Sequence, residues 1–298
     1  MPIGEIGLSS SMRSNLISLQ TTARLLGATE ERLATGRRVN SAVDNPANFF
    51  AAQGHTSRAN QLSGLKDNIS EAIQTVKAAD AGIKGVLSTI ESLRGLVTQA
   101  RSALNDSVNS GAILGGTDGA GGLTGQYNRL IGQLNNVAAD SSYKGTNFLT
   151  SGDVTLTVNF NENATTSIAM SGFNGGASGL GISGGGASLT VAGTAGNITS
   201  GDIATAGGLN DVEKSLNAAI ATLQTRASEL SANLSTLTTR QTFISEMVNA
   251  LVVGATKLTE ADTNEEGANL LSLQTKQQLG TTALSISSQA EQSILRLF

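Results

Sequence analysis

Apolar residues recur through the first half of the chain at alternating spacings of three and four positions. The run begins at Leu62 and ends at Leu104, and no polar residue interrupts it. A repeat sustained over about six heptads predicts a long helix with a coiled-coil-like seam. The seam positions are Leu62, Leu65, Ile69, Ala72, Val76, Ala79, Ile83, Val86, Ile90, Leu93, Val97, Ala100 and Leu104.

A second seam lies in the other half of the chain and has one polar member, Gln241. A single polar seam residue can set the register of a helix pair at some cost in stability. Two long seams are most simply satisfied when their helices pack against each other, so we predict an antiparallel pair. The second seam comprises Leu216, Ile220, Leu223, Ala227, Leu230, Leu234, Leu237, Gln241, Ile244, Val248, Leu251, Ala255 and Leu258.

Shorter apolar stripes predict one further helix at each end of the chain. They consist of Met12, Leu16, Leu19, Ala23, Leu26 and Leu33, and of Leu279, Ala283, Ile286, Ala290, Ile294 and Leu297. A single chain offers these stripes little to pack on. We therefore expect them to be buried against copies of the same chain, or to stay disordered in the monomer.

Proline marks one boundary. Both prolines, Pro2 and Pro46, precede the long seams, so no later residue breaks a helix as proline does. Asn45 followed by Pro46 predicts a helix start, with Asn45 as the cap and Pro46 in the first turn.

Between the two halves the helical pattern weakens. Glycines crowd residues 111–125 and predict a loop, and Leu130, Leu134 and Val137 then predict a short helix over residues 126–139.

The next segment reads as β structure. Residues 140–148 predict a turn, and the alternating residues 154–160 predict a strand that pairs with residues 167–170 as a hairpin. From 171 to 208 the chain is rich in Gly, Ser, Ala and Thr, which predicts a small β or irregular insert.

Composition narrows the function classes. The net charge is −4 and no basic block is present, so nothing indicates nucleic acid. Aromatic residues make up only 3% of the chain, which suits thin helix–helix seams better than the thick core of an enzyme. The sequence has no cysteine, no apolar run of about 18 residues that could span a bilayer, and no recognisable cleavable signal peptide.

Candidate catalytic and ligand-binding patterns are weak. Residues 179–184 match a GxGxxG motif but lack the flanking strand and helix of a dinucleotide site, so we interpret them as a flexible loop. His55 is the single histidine, has no partner for a typical zinc site, and is interpreted as a half-exposed helix residue. Glu265 and Glu266 are interpreted as solvated helix charges. We predict no enzyme activity, no metal and no cofactor.

Four motifs, in order along the chain, resemble the bacterial flagellin family. Residues 32–47, RLATGRRVNSAVDNPA, resemble the N-terminal signature, whose usual form is RLSSGLRINSAKDDAA. Residues 143–149, YKGTNFL, resemble an F-N-G-x-x-L turn, and residues 258–262, LTEAD, stand where flagellins carry an I-E-D-A-D-type motif. The ending, from QQLGT at residue 277 to ILRLF, resembles the flagellin close.

The resemblance covers roughly residues 1–149 and 209–298 and implies a mainly α fold. A long antiparallel coiled-coil-like helical rod, called D1, would carry the terminal helices, called D0, and a small β-hairpin and Gly-rich insert. The implied domains are residues 1–44 (N-terminal D0 helix and linker), 45–149 (N-terminal D1 helices), 150–208 (outer insert), 209–256 (C-terminal D1 helix) and 257–298 (C-terminal D0 helix).

The function implied by the resemblance is a structural subunit that polymerises into the flagellar filament, the propeller for swimming. Such a subunit is extracellular and is exported by the flagellar type III apparatus without a cleaved signal peptide. The implied partners are copies of itself, a flagellar export chaperone, and hook-associated and cap proteins, with no nucleic acid and no membrane. The alternatives are a hook–filament junction protein, which shares the ends and the size, and a coiled-coil surface adhesin, which would need an anchor or a Sec signal.

The resemblance also implies interface residues. Subunit contacts are predicted at Arg32, Leu33, Gly36, Arg38, Asn40, Asp44, Asn45, Pro46, Asp262, Leu279, Ile286 and Leu297. We interpret the arginines at 32, 37 and 38 as contacts for acidic groups of neighbouring subunits, near Asp44 or Asp262.

One further stretch of the family is altered here. Residues 90–96 align with the LQRVREL segment by which many flagellins engage an innate immune receptor, and its equivalents are Ile90, Ser92, Arg94 and Leu96. Ser92 and Gly95 replace an arginine and the glutamate, so we expect weak or no receptor stimulation.

Overall fold

The structure is a computed structural model that describes residues 10–104, 122–182 and 205–295. Within those residues the chain forms five helices and two small antiparallel hairpins, so the predicted mainly α fold is confirmed. The elements are α1 (Ser10–Thr35), α2 (Pro46–Leu104), α3 (Gly122–Asp140), β1 (Ser142–Tyr143), β2 (Thr146–Asn147), β3 (Thr155–Asn159), β4 (Ser167–Ser171), α4 (Ala206–Thr259) and α5 (Thr263–Leu295). Among these described helices, none has the length and apolar character needed to cross a membrane.

The chain divides into two compact units. The first unit combines Met1–Asn60 with Met247–Phe298, and the second is Gln61–Glu246. The finer division predicted at residues 44 and 256 stays a prediction.

The core of the second unit is the seam of α2. All of its thirteen predicted members are buried except Leu65 and Leu104, which are half-buried. From α4, every seventh residue from Leu216 to Ile244 is buried as well, which is the spacing expected of a helix that meets its partner along one stripe.

Polar contacts give the direction and register of α2 and α4 in this unit. The Gln241 side-chain NH₂ donates to the Ser70 hydroxyl at 2.7 Å, and Arg101 pairs with Glu213 at 2.7 Å. Ser70 lies early in the unit's part of α2 and contacts Gln241, which lies late in its part of α4. Arg101 lies late in α2 and contacts Glu213, which lies early in α4, so the two helices are antiparallel. The polar seam residue predicted to set the register therefore does have a polar partner across the pair.

The helix that follows starts earlier than the sequence predicts. Helix α3 begins at Gly122, so the prediction of a loop for residues 122–125 is wrong. The rest of the predicted loop, residues 111–121, lies outside the described residues. Leu123, Thr124 and Gly125 are buried, and their packing outweighs the roughly 1 kcal/mol that glycine costs in a helix.

Both predicted β features are present in the second unit. Lys144 and Gly145 join β1 to β2 with φ angles of 49° and 82°, the two positive values that a type I′ hairpin turn requires. The Asn147 side chain holds this hairpin to α3, because its NH₂ donates to the carbonyls of Ala138 and Ala139 at 2.8 and 2.7 Å.

The second hairpin and the segment after it pack on α4. Strands β3 and β4 pair from Thr155 with Ser171 to Asn159 with Ser167. Arg240 stacks over Phe160 at 5.1 Å and Arg226 over Phe173 at 5.5 Å, which fixes both ends of the hairpin region to one helix. Of the GxGxxG stretch, residues 179–181 form turn structure, and residues 183 and 184 lie outside the described residues.

Candidate assembly surface

The two signature stretches of the sequence meet in the first unit. The backbone N–H groups of Arg38 and Val39 donate to the Thr259 carbonyl at 2.7 and 3.3 Å. In return, the N–H of Ala261 donates to the Gly36 carbonyl at 3.0 Å. Gly36 has a φ of +66°, a backbone conformation that L side chains rarely adopt and that lets the chain turn here at the end of α1. The linker after α1 is thus joined to the linker before α5.

The linker between α1 and α2 is braced by Asp44. Its Oδ2 accepts hydrogen bonds from the backbone N–H groups of Asn40 at 3.0 Å and Ser41 at 2.9 Å, and from the Ser41 hydroxyl at 3.1 Å. The hydrogen bonds from Ser41 and Asn40 lower the pKa of the Asp44 carboxyl, because they favour its charged form. The loop is therefore held by an ionised side chain at neutral pH.

Both long helices next to the linkers have capped starts. Helix α2 begins at Pro46, and the Asn45 side-chain oxygen accepts from the N–H of Asn48 at 3.1 Å, as the sequence predicts. Helix α5 begins at Thr263, and the Asp262 carboxylate accepts from the N–H groups of Asn264 and Glu265 at 2.9 and 3.3 Å. Asn45 and Asp262 thus have a local structural role in the single chain.

An ion pair links α1 to α5. Arg32 Nη1 lies 3.3 Å from Oε1 of Glu266, a residue only 6% exposed. The interpretation of Glu266 as a solvated charge is therefore wrong, whereas Glu265 is exposed. Arg32 pairs with Glu266 within its own chain, and its contact with a neighbouring subunit stays a prediction. The other oxygen of Glu266, Oε2, is buried and has no hydrogen-bond partner among the described residues.

The expectation that the terminal helices find little to pack on within one chain is wrong, because α1 and α5 pack on each other. Their contact uses small and polar positions as well as leucines. A Cβ atom placed on Gly280 would lie 2.7 Å from Cδ1 of Leu19, so glycine allows close approach there. Thr29 is buried at the same interface as Arg32 and Glu266.

The predicted C-terminal stripe faces away from that contact. Leu279 and Ile286 are 66% and 61% exposed, and Leu271, on the same side of α5, is 66% exposed. On α1, the large apolar residues that remain exposed are Leu16, Ile17, Leu25 and Leu33. Leu297 lies outside the described residues. Leu271, Leu279 and Ile286 share one side of α5, and they define the outer face of the α1–α5 pair.

His55 and the altered receptor stretch both lie on α2. His55 is half-buried on α2, as predicted. In the part of the chain that the structure describes, no three His, Cys, Asp or Glu residues are grouped so that they could hold a metal ion. In the altered receptor stretch, Ile90 is fully buried, Leu96 is half-buried, and Ser92 and Arg94 are exposed. A binding partner could therefore touch only part of that stretch directly.

Sequence reasoning missed one surface feature of the first unit. An open groove of about 830 Å³ is lined by Gly36, Val39, Phe49, Ala52, Val252 and Ala255, with Arg37 and Glu260 among its polar residues. Its residues come from three separated stretches of sequence, so no single periodic pattern could have indicated it.

The comparisons with known proteins agree with this arrangement. Residues 6–153 match the family model of the bacterial flagellin N-terminal helical region, and residues 214–298 match that of the C-terminal helical region. The chain is 27% identical to Flagellin FljO of Caulobacter vibrioides over 298 residues, covering 100% of both chains. It is 26% identical to a flagellin of Brucella melitensis, covering 97% of both, and 26% identical to Flagellin C of Rhizobium meliloti, covering 95% of this chain and 96% of that one.

Nothing in these matches favours a hook-associated protein or an adhesin. The family is structural, and its members polymerise into a filament outside the cell. The two family models lie in the expected order at the two ends of the chain, and the similarity to whole flagellins spans its full length. The chain therefore belongs to the bacterial flagellin family and is a structural subunit of the flagellar filament.

Proposed function

We propose that copies of this chain assemble through the outer face of the α1–α5 pair, so that the chain acts by polymerisation and not by catalysis. The observation that carries this proposal is the reversal of the usual burial pattern in these helices. Leu271, Leu279 and Ile286 are mostly exposed, whereas Thr29 and Glu266 on the inner side are buried.

The exposed residues on α5 form one continuous face. Leu271, Leu279 and Ile286 are separated by eight and seven residues, so at 3.6 residues per turn they lie on one side of the helix. Residues 277–290 of the same helix carry no charged side chain. An apolar stripe without charges around it costs little to desolvate, and contiguous exposed apolar surface is typical of protein interfaces.

The expected free energy of such a contact is substantial. Full burial of a leucine or isoleucine side chain contributes about 1.5–3 kcal/mol. Leu279 and Ile286 together would then contribute about 3–6 kcal/mol to the addition of each subunit. Repetition of the same contact along a helical array adds this contribution for every subunit of the polymer.

The test is a double substitution, Leu279→Ser with Ile286→Ser, compared with a matched control, Leu279→Met with Ile286→Val. The control keeps apolar side chains of similar volume, which are tolerated best. We expect the serine variant to raise the critical concentration for filament growth at least about a hundredfold, measured by sedimentation and electron microscopy. Urea unfolding of the monomers should be the same for both variants. Filament growth by the serine variant at the parental concentration would exclude the outer face of α5 as an assembly contact.

The finer details of the implied life cycle remain part of the proposal. We propose export through the flagellar apparatus without a cleaved signal peptide, with a chaperone holding the chain beforehand and with hook-associated and cap proteins at the two filament ends. The resemblance of both ends of the chain to flagellins supports this route. The intact mass of subunits shed from filaments checks it, because a shortened N-terminus would show that a leader is removed.

A further inference from the structure

A single valine protrudes from the linker between α1 and α2. Val43 is 91% exposed, more than any other large apolar residue among those described. The loop that carries it is not loose, because Asp44 accepts three hydrogen bonds from Asn40 and Ser41 and Asn45 caps α2 directly afterwards. An apolar side chain is thus held in water on a braced loop.

The groove in the same unit has the complementary character. Val39, Ala52 and Ala255 line it and are themselves buried, so its inner surface is packed and apolar. Its volume of about 830 Å³ has room for a loop tip with its flanking residues. Arg37 lines the groove, and none of the ion pairs among the described residues involves its guanidinium. The carboxylate of the groove, Glu260, pairs with Lys257 at 2.9 Å.

The charges next to the two features are also complementary. Asp44 follows Val43 directly, and its bonded neighbours hold the pKa of its carboxyl below the ordinary value, so it is ionised at neutral pH. Only its Oδ2 is engaged by the loop hydrogen bonds, which leaves Oδ1 as an acceptor. An arginine without an ion pair at an apolar groove is suited to a carboxylate, with which it forms charge-assisted hydrogen bonds.

We propose that Val43 of one copy of this chain inserts into the groove of a second copy, with Asp44 beside the second copy's Arg37. This contact rests on the proposed function, since the polymer supplies the second copy. The knob and the groove consist of different residues of one subunit, so the contact is heterologous when the two copies do not exchange it reciprocally. Such contacts propagate from copy to copy instead of closing a pair.

The chain is well suited to a direct test because it contains no cysteine. Val43→Cys protein and Gln53→Cys protein are mixed, polymerised and oxidised, Gln53 being an exposed residue of the groove. A disulfide requires Cα atoms within about 7 Å, and each chain carries only one cysteine. A dimer joining the two variants on a non-reducing gel can therefore arise only from contact between copies.

We expect Val43→Cys to cross-link with Gln53→Cys and not with Ser92→Cys, a control at an exposed position of the second unit. Filaments that form without the first cross-link overturn the contact and leave the proposed function standing. A cross-link of Gln53→Cys with Leu279→Cys instead would show that the groove holds the outer face of α5, which also overturns it. Failure of the parent protein to polymerise would overturn both proposals.

Substitutions at the knob give a second measurement. Val43→Ser should raise the critical concentration for filament growth about tenfold, because a buried valine side chain is replaced by a polar one. Val43→Ile keeps the apolar knob and should leave that concentration within about twofold. If the serine and isoleucine variants grow alike, the knob makes no apolar contact in the filament and the proposal is wrong.

Discussion

The seam of α2 in the second unit and the terminal pair α1–α5 are both helical and both contain regular apolar stripes, yet they bury different kinds of residue. In α2, Ile69, Ile83 and Ile90 are fully enclosed by their own chain. In the terminal pair, Leu279 and Ile286 face outwards although they belong to a regular apolar stripe. The comparison shows that the same periodic pattern can be buried in a core in one helix and left exposed in another.

The polar residues show the same contrast. In the second unit, the polar member of the α4 seam, Gln241, bonds to Ser70 across the helix pair, and the other seam positions from Leu216 to Ile244 are apolar. The terminal pair places Thr29 and the ion pair of Arg32 with Glu266 on its inner side. Because small and polar residues gain little from burial, the terminal pair is expected to be only marginally stable alone and to gain most of its stability from neighbouring copies.

The largest expected effect comes from making the same substitution in both regions. Ile90→Ala should lower the free energy of unfolding of the monomer by about 2–5 kcal/mol, because it leaves a cavity in a closed core. Ile286→Ala should leave that free energy within about 0.5 kcal/mol, because the side chain is exposed in the monomer. Urea unfolding followed by circular dichroism measures both.

Filament growth should respond in the opposite way. Ile286→Ala should weaken growth although it hardly changes the free energy of unfolding of the monomer. Similar monomer destabilisation by the two substitutions would mean that the terminal helices bury Ile286 in the free chain, and the contrast between the regions would be lost.

A middle-sized effect is expected at the ion pair of the terminal helices. Arg32→Ala removes the partner of a buried carboxylate and should destabilise the α1–α5 pair by about 2 kcal/mol. Adding Glu266→Leu removes the buried carboxylate that Arg32→Ala leaves unpaired, and it should restore most of the lost stability. Hydrogen exchange should detect the change in α1 and α5, with the amides of α3 as an internal control.

If the double substitution is as unstable as the single one, Glu266 has a further role in the pair that its contact with Arg32 does not explain. If neither substitution changes exchange in α1, the ion pair does not hold the terminal helices together.

The smallest effect concerns a buried hydroxyl in the core of the second unit. Tyr127 is 2% exposed, and its hydroxyl has no hydrogen-bond partner among the described residues. Burial raises the pKa of this hydroxyl, so it is neutral under any ordinary condition. Tyr127→Phe removes an unsatisfied polar atom and should stabilise the second unit by about 1 kcal/mol.

Thermal unfolding of the two forms measures the difference, with Tyr143→Phe as the control at a half-buried tyrosine. A loss of stability on Tyr127→Phe would show that the hydroxyl does have a partner in solution and that the core is better satisfied than the structure indicates.

Much of the fold could be predicted from local pattern. The seam of α2, the start of that helix at Pro46, and the pairing of the strands at Val158 and Ile168 all follow from spacings or signals within a few residues. Each depends on the period of a helix or a strand or on the backbone limits of asparagine, proline and glycine, which act locally. Contacts between distant stretches, such as Arg32 with Glu266, have no comparable signal in one sequence.

Only part of the candidate interface could be predicted from the sequence, for the same reason. The stripe containing Leu279 and Ile286 could be recognised from its spacing, and its exposure agrees with a role in assembly that stays a proposal. The groove that includes Val39, Ala52 and Ala255 could not be recognised, because each stretch contributes only a few residues to it.

The sequence by itself determined that the chain is mainly helical, that it has two long seams, and that it resembles flagellins at both ends. Only the tertiary structure decided which face of each terminal helix is covered and which is left open. The physical reason is that periodicity defines the residues that share a side of a helix, whereas burial depends on what the rest of the chain places against that side. In α5 the chain covers the side of Glu266 and leaves Leu279 and Ile286 exposed.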